Sequence, residues 1–202
     1  MLGALDSVLG SPTRLRLSRV LLESPARRWT GRELAKAAGV STAQAARDLR
    51  ELHDVGILRR DVHGRSFAWG WNGDHILAPS LSELFELEAN LGKELKREIG
   101  KALRGLPIQQ ARIFGSVARS EERADSDVDL FLQVRGKVDK ARVEDALDDV
   151  RRRIWVRFGN PLTPLVYTAA ELAHPINPEL IRSILTEGQV VDVSGGPPDG
   201  SD

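Results

Sequence analysis

The sequence predicts an α+β/α/β chain made of two compact parts with a long helix between them. Three observations lead there. Two short capped helices, separated by Gly39, precede two strand-like runs at 56–62 and 65–70. An apolar seam of helical period then runs from Leu84 to Leu103. Beyond it, short apolar runs that read as strands alternate with helical patterns. The expected divisions are 1–79, 80–105 and 106–193, with a tail from 194 to 202 that is rich in Gly, Pro and Asp and is expected to be disordered.

The 202 residues allow one large domain or two small ones. A hydrophobic share of 41% beside 29% charged residues suits a soluble globular protein. With no cysteine, disulfides and thiolate zinc sites are excluded, which fits a reducing cytoplasm. No apolar run approaches the ~20 residues of a membrane span, and the N-terminus lacks a signal-peptide pattern. A cytoplasmic chain without a membrane partner is expected. The net charge of zero hides an asymmetry. Residues 1–79 hold 12 Lys+Arg against 8 Asp+Glu, leaving 17 against 21 of the 29 each in the remainder. A basic first part and an acidic second part point to different partners.

Ser11-Pro12 reads as an N-cap followed by Pro at the first helical position. Leu15, Leu17, Val20, Leu21 and Leu22 then make a helix that ends before Ser24-Pro25. Thr30-Gly31-Arg32-Glu33 is a capping box, starting a helix over Gly31 to Ala38 that buries Leu34 and Ala35. Ser41-Thr42-Ala43-Gln44 is a second box, for a helix to about Val55 with Ala43, Ala46, Leu49 and Leu52 on its inner face. Two short helices joined by a tight glycine turn form a helix-turn-helix. The runs around His63-Gly64 add a hairpin. His53 and His63 are isolated and read as surface or turn residues.

This pattern over residues 12 to 75 resembles the winged-helix transcription regulators. Glu51-Leu52-His53-Asp54-Val55-Gly56-Ile57-Leu58 looks like their bridge from recognition helix to wing. The resemblance implies that the second helix of the pair enters the major groove of double-stranded DNA. Its outward residues near the start are taken as Thr42, Gln44, Ala45 and Arg47. Gln can pair with adenine and Arg with guanine. Arg50, Arg59, Arg60 and Arg65 would meet phosphates on the flanks and wing. The alternative is a protein-interaction module in which Arg47 or Arg50 pairs with Asp48, Glu51 or Asp54.

Ser80-Leu81-Ser82-Glu83 reads as the cap of the long helix. Leu84, Leu87, Leu91, Leu95, Ile99 and Leu103 form a narrow seam. It would pack on the second part or pair with its copy in a homodimer, and the dimer role is favoured.

Gly105-Leu106-Pro107 ends that helix. Strands are expected at Ala111 to Phe114, Val128 to Val134, Leu165 to Tyr167 and Val190 to Val193. Helices are expected from Val138 or Asp139 to Phe158, with Val143, Ala146, Leu147, Val150 and Ile154 inward, and after the cap Asn177-Pro178-Glu179. Arg151-Arg152-Arg153 reads as a solvated face.

The chemistry is carried by Ile113-Phe114-Gly115-Ser116-Val117-Ala118-Arg119-Ser120 and Ser126-Asp127-Val128-Asp129-Leu130. Strand residues i and i+2 share a face, so Asp127 and Asp129 would project together. Carboxylates that close repel unless a cation sits between them. Hard oxygen ligands suit Mg²⁺, and glycine lets backbone approach a ligand.

The combination resembles the DNA polymerase β-like nucleotidyltransferases, and within them the minimal nucleotidyltransferase (MNT) branch, across residues 108 to 193. Gly115, Ser116, Ala118, Arg119, Ser126, Asp127, Asp129 and Leu130 match its motif, while Ser120 replaces the usual second glycine. The resemblance implies a nucleotidyltransferase fold with a mixed sheet. It also implies transfer of a nucleotide from an NTP, ATP in the first place, to a hydroxyl. Asp127 and Asp129 would be the catalytic and metal residues, with Mg²⁺ or Mn²⁺. Gly115, Ser116, Arg119 and Ser126 would hold the nucleotide. Working members carry a third carboxylate on a later strand. The matching stretch, Asn160 to Thr168, has none, and Glu171 just after it reads as a helix N-terminal acid. The expected function is therefore a DNA-binding transcription regulator whose second domain binds Mg–NTP with weak or lost transfer. The alternative is an active adenylyltransferase acting on a protein partner, as in a toxin–antitoxin pair.

Overall fold

The structure, a computed structural model, describes residues 9–63, 66–118 and 127–194. Arg65, Arg119, Ser126 and the tail from 195 lie outside the described residues. The chain divides into two compact units, residues 1–89 and 90–202.

In the first unit, helix α1 spans Pro12–Glu23, with Ser11 Oγ accepting from the Arg14 N–H. Strand β1 is Trp29–Thr30 and helix α2 is Gly31–Ala37. The Thr30–Glu33 capping box forms as expected: Glu33 Oε2 accepts from the Thr30 N–H at 2.8 Å while Thr30 Oγ1 accepts from the Glu33 N–H at 3.3 Å. Gly39 makes the turn in the left-handed region, at φ +64°. Helix α3 is Thr42–Asp54. Ser41 caps it through the Gln44 N–H, but the reciprocal half of the second box is missing, because the Gln44 amide donates to Asp48 Oδ2 at 3.0 Å instead.

The buried face of α3 differs from the expected one. Ala45, Asp48, Leu49 and Leu52 are buried, whereas Ala43 and Ala46 face solvent. Ala45 therefore leaves the outward set. The cause is Asp48: a buried carboxylate is tolerated because Arg14 of α1 and Gln44 both bond it.

Strands β2, Leu58–His63, and β3, Ser66–Trp71, pair antiparallel, and β1 joins the far side of β3. Leu17, Leu21, Leu34, Leu49, Leu52, Ile57 and Trp71 form the core. His53 Nδ1–H donates to the Leu58 carbonyl at 3.0 Å and the ring meets Trp69 edge-on, so it braces the helix-to-strand turn.

Helix α4 runs Ala78–Leu103, two residues earlier than its expected cap. Leu81 and Phe85 enter the first core; Leu95, Ile99 and Leu103 enter the second. Leu84, Leu87 and Leu91 are 49%, 55% and 45% exposed, so the middle of the expected seam is bare.

The second unit is a four-stranded mixed sheet in the order β6-β5-β4-β7. The strands are β4 Ile108–Phe114, β5 Val128–Val134, β6 Leu162–Thr168 and β7 Gln189–Val190. β5 runs parallel to β6 and antiparallel to β4. Helix α5, Gly115–Ala118, follows β4; helices α6, Lys137–Phe158, α7, Ala169–Ala173, and α8, Pro178–Glu187, complete the unit. Val128, Leu130, Leu132 and Val134 face one core, with Val143, Leu147, Val150 and Ile154 of α6. Phe131 faces a smaller core with Ile181 and Ile184 of α8. A central strand buried on both faces reads as a nearly unbroken apolar run. Arg151 and Arg152 pair with Asp148 and Asp149 in solvent, but Arg153 reaches the buried Glu98 at 3.1 Å and is not merely a solvated charge.

Candidate functional site

The end of β4, the start of β5 and the start of β6 lie at one end of the sheet. In the register, Phe114 stands opposite Asp129, and Asp129 stands beside Thr163. Asp127 immediately precedes β5 and is exposed. Gly115 opens α5 at φ +74°, a conformation that favours glycine. A Cβ at Gly115 would overlap Asp129 Oδ2. The backbone corner and the carboxylate are thus in direct contact, and only glycine allows it.

The electrostatics follow from this placement. The Asp129 carboxyl is held above the usual aspartate range, first by burial and then by the Asp127 charge. Two acids with like-charge coupling, one partly desolvated, gain from a shared cation. The donor set fits Mg²⁺, which commonly takes one or two carboxylates and completes its shell with phosphates and water. Ser116 is half-buried next to the corner. Arg119 and Ser126, the other expected nucleotide contacts, fall outside the described residues.

Among the described residues no group of three His, Cys, Asp or Glu is placed to hold a metal. The position beside Asp129 on the parallel neighbour is Thr163, a hydroxyl and not a carboxylate. Glu171 is engaged elsewhere. Its Oε2 accepts from the Thr168 N–H at 2.7 Å, and Lys140 Nζ donates to both oxygens at 2.9 and 3.0 Å. These bonds, the backbone one first, bring its pKa down to about 2. Thr168 and Glu171 form a capping box at the start of α7, so the acid at this helix start is structural.

In the first unit, Thr42, Arg47 and Arg50 project from the exposed side of α3. Arg47 donates to Gln44 Oε1, and Arg50 Nε donates to the Ala46 carbonyl at 2.9 Å. Neither takes an acid on its own helix. Gln44 is half-buried and bonded to Asp48, so its amide is partly committed. Arg59 bonds Asn72 Oδ1 at 2.8 Å and pairs with Asp74, which occupies it at the hairpin base. Arg60 instead lies over Phe67, 4.6 Å from its centroid, and near Trp69 at 6.0 Å. The sequence did not single out Arg32 or Phe67, which stand beside this cluster. A contact between α2 and the hairpin has no periodic signal.

Residues 93–191 match the family model for the nucleotidyltransferase domain. No curated protein matches the chain. No helix is long and apolar enough to cross a membrane among the described residues.

Proposed function

We propose that the chain is a double-stranded-DNA-binding transcription regulator whose C-terminal domain is of the MNT type and holds Mg²⁺–NTP with weak or lost nucleotidyl transfer. The observation that carries this reading is the contact of Asp129 with Gly115 beside Asp127, with no third acid next to Asp129 among the described residues. Asp127 and Asp129 would ligate Mg²⁺ or Mn²⁺. Gly115 and Ser116, with Arg119 and Ser126, would take the phosphates of an NTP, ATP first. The cation supplies neutralisation of phosphate charge and a template for the chain of oxygens. Among the described residues no third carboxylate stands beside Asp129 to take the acceptor's proton. Loss of a general base costs about 10²–10⁴-fold in rate.

In the first unit, Thr42, Arg47, Arg50 and Arg60 support a winged-helix reading in which α3 meets the major groove and the hairpin its flank. The bare leucines Leu84, Leu87 and Leu91 support a homodimer, as a palindromic site requires. A second reading, an active transferase modifying a protein partner such as a toxin, is favoured by the intact Asp127/Asp129 pair alone.

One experiment separates them. The protein is incubated with labelled ATP, CTP, GTP and UTP, with Mg²⁺ or Mn²⁺, and a lysate. Nucleotide binding without label transfer, together with salt-dependent duplex binding, supports the regulator. Label transfer that Asp127→Ala abolishes overturns it in favour of the transferase.

A further inference from the structure

A cleft of about 640 Å³ opens in the first unit between the start of α2, the outward side of α3 and the β2–β3 hairpin. Its size is within the range of small-molecule sites. The hairpin register explains its floor. Leu58–Trp71, Arg60–Trp69 and Val62–Phe67 are cross-strand pairs at alternate positions, so all six face the same way. The base of that face is buried in the core, with Leu58 and Trp71 2% and 7% exposed. Its outer part is not covered, and Phe67 is 46% exposed. On the helix side the wall is Ala46, whose single methyl leaves space.

Three guanidinium groups, from Arg32, Arg50 and Arg60, line the same cleft. Among the described residues none of them pairs with a carboxylate. Their neighbours do: Arg27 with Glu33, Arg28 with Asp61, Arg59 with Asp74. The acids nearby are thus spent on the arginines outside the cleft, and those inside it are left uncompensated. An aromatic floor under uncompensated guanidiniums suits an occupant that is flat, apolar and anionic. Arg60 already stacks on Phe67, so the ring would lie at the exposed side of Phe67 beside the buried Trp69, and the anion would take the planar donor forks.

We propose that this cleft binds a small aromatic carboxylate. Because Thr42, Arg50 and Arg60 also belong to the surface assigned above to DNA, its occupant and duplex exclude one another; this second clause rests on the DNA-binding reading.

The test uses the full chain and 2-naphthoate as the probe, followed by calorimetry and tryptophan fluorescence. Neutral 2-naphthalenemethanol is the control. Saturable binding of one naphthoate per chain is expected, with the neutral analogue weaker by about tenfold or more, as loss of a charge-assisted contact implies. Arg60→Gln should weaken naphthoate by about tenfold, and Arg60→Lys by less. Ala46→Leu fills the cleft with a good helix former and leaves every charge in place, so it should abolish binding while circular dichroism stays unchanged. No saturable binding, equal affinity for the neutral analogue, or undiminished binding by Ala46→Leu overturns the proposal. Should Arg60→Gln fail to fold, the analogue comparison and Ala46→Leu decide it. In a separate arm, saturating naphthoate should weaken duplex binding. Duplex and naphthoate bound together overturn the exclusion. Naphthoate binding by a protein that never binds duplex sinks the DNA reading and leaves the cleft standing.

Discussion

Gly115→Ala tests the corner most directly. Two separate costs can be worked from its geometry. The left-handed backbone at φ +74° is disfavoured for alanine by about 1–2 kcal/mol. The added methyl overlaps Asp129 Oδ2, so the carboxylate must swing off its rotamer, at about 0.5–1.5 kcal/mol. Together they predict a loss of about 1.5–3.5 kcal/mol. Only the second cost depends on Asp129. In an Asp129→Ala background, Gly115→Ala should therefore cost about 1–2 kcal/mol, and the double-mutant cycle should show a coupling of about 0.5–1.5 kcal/mol. Urea unfolding followed by circular dichroism reads these values as midpoint shifts at constant m. Calorimetry with Mg–ATP should show binding lost in both single variants. A Gly115→Ala cost below about 0.5 kcal/mol, or strict additivity in the cycle, would refute the contact on which the site is built.

Other outcomes follow from the same geometry. Asp129→Asn removes a partly desolvated charge that Asp127 repels, so the metal-free protein should melt higher at pH 7 and lose any Mg²⁺-induced rise in Tm; an unchanged Mg²⁺ response would count against it. Glu171→Ala should cost about 1 kcal/mol at pH 7, the worth of a cap on an exposed side chain, and leave Mg–ATP affinity unchanged in calorimetry. Its pKa is depressed from 4.5 to about 2, so its contribution is present above the unfolded value and disappears as pH falls through the folded one. The Tm gap between wild type and Glu171→Ala should accordingly close on acidification. Thr163→Asp places a third carboxylate beside Asp129, and Mn²⁺ affinity by titration should rise by about tenfold or more; an unchanged affinity would mean that Thr163 is not on the ligand side.

Where a signal was local, the sequence carried it. The Thr30-x-x-Glu33 box and the Ser11 and Asn177 caps satisfy donors within three residues, and they form, whereas of the Ser41 box only the Ser41 cap does. β5 was legible to the residue because burial on both faces made it an unbroken apolar run. The phase of α3 was not. Ala43, Ala45 and Ala46 fit either face, and the residue that decides, Asp48, looks solvent-facing unless its partner 34 residues upstream is known. β6 was read short because Pro164 interrupts it. Proline is tolerated there because β6 is an edge strand, and that rank in the sheet comes only from the tertiary order. The candidate site divides in the same way. Gly115, Asp127 and Asp129 are close in sequence, and their proximity in the fold could be expected from it. Thr163 matters only through its register with Asp129, and the aromatic–arginine cleft only through the meeting of α2, α3 and the hairpin.

On the proposed reading, the position of Asp129 would account for a site that binds Mg²⁺–NTP more readily than it turns it over. On its face of the sheet, Phe131 is fully covered by the Ile181 and Ile184 core, while Asp129, two residues earlier, is only half-buried. The carboxylate stands at the rim of that apolar cover. A charge there is attracted to a cation more strongly than one in open water, yet the rim stays open to phosphates. Deprotonating an acceptor asks for something else, a base within hydrogen-bond reach of the attacking oxygen. The register puts a threonine hydroxyl next to Asp129 on the parallel strand, and Lys140 and the Thr168 N–H hold the nearest later acid as a cap. On that reading affinity and turnover would depend on different strands. β4 and β5 would supply what affinity needs, whereas β6 carries no carboxylate that turnover would need.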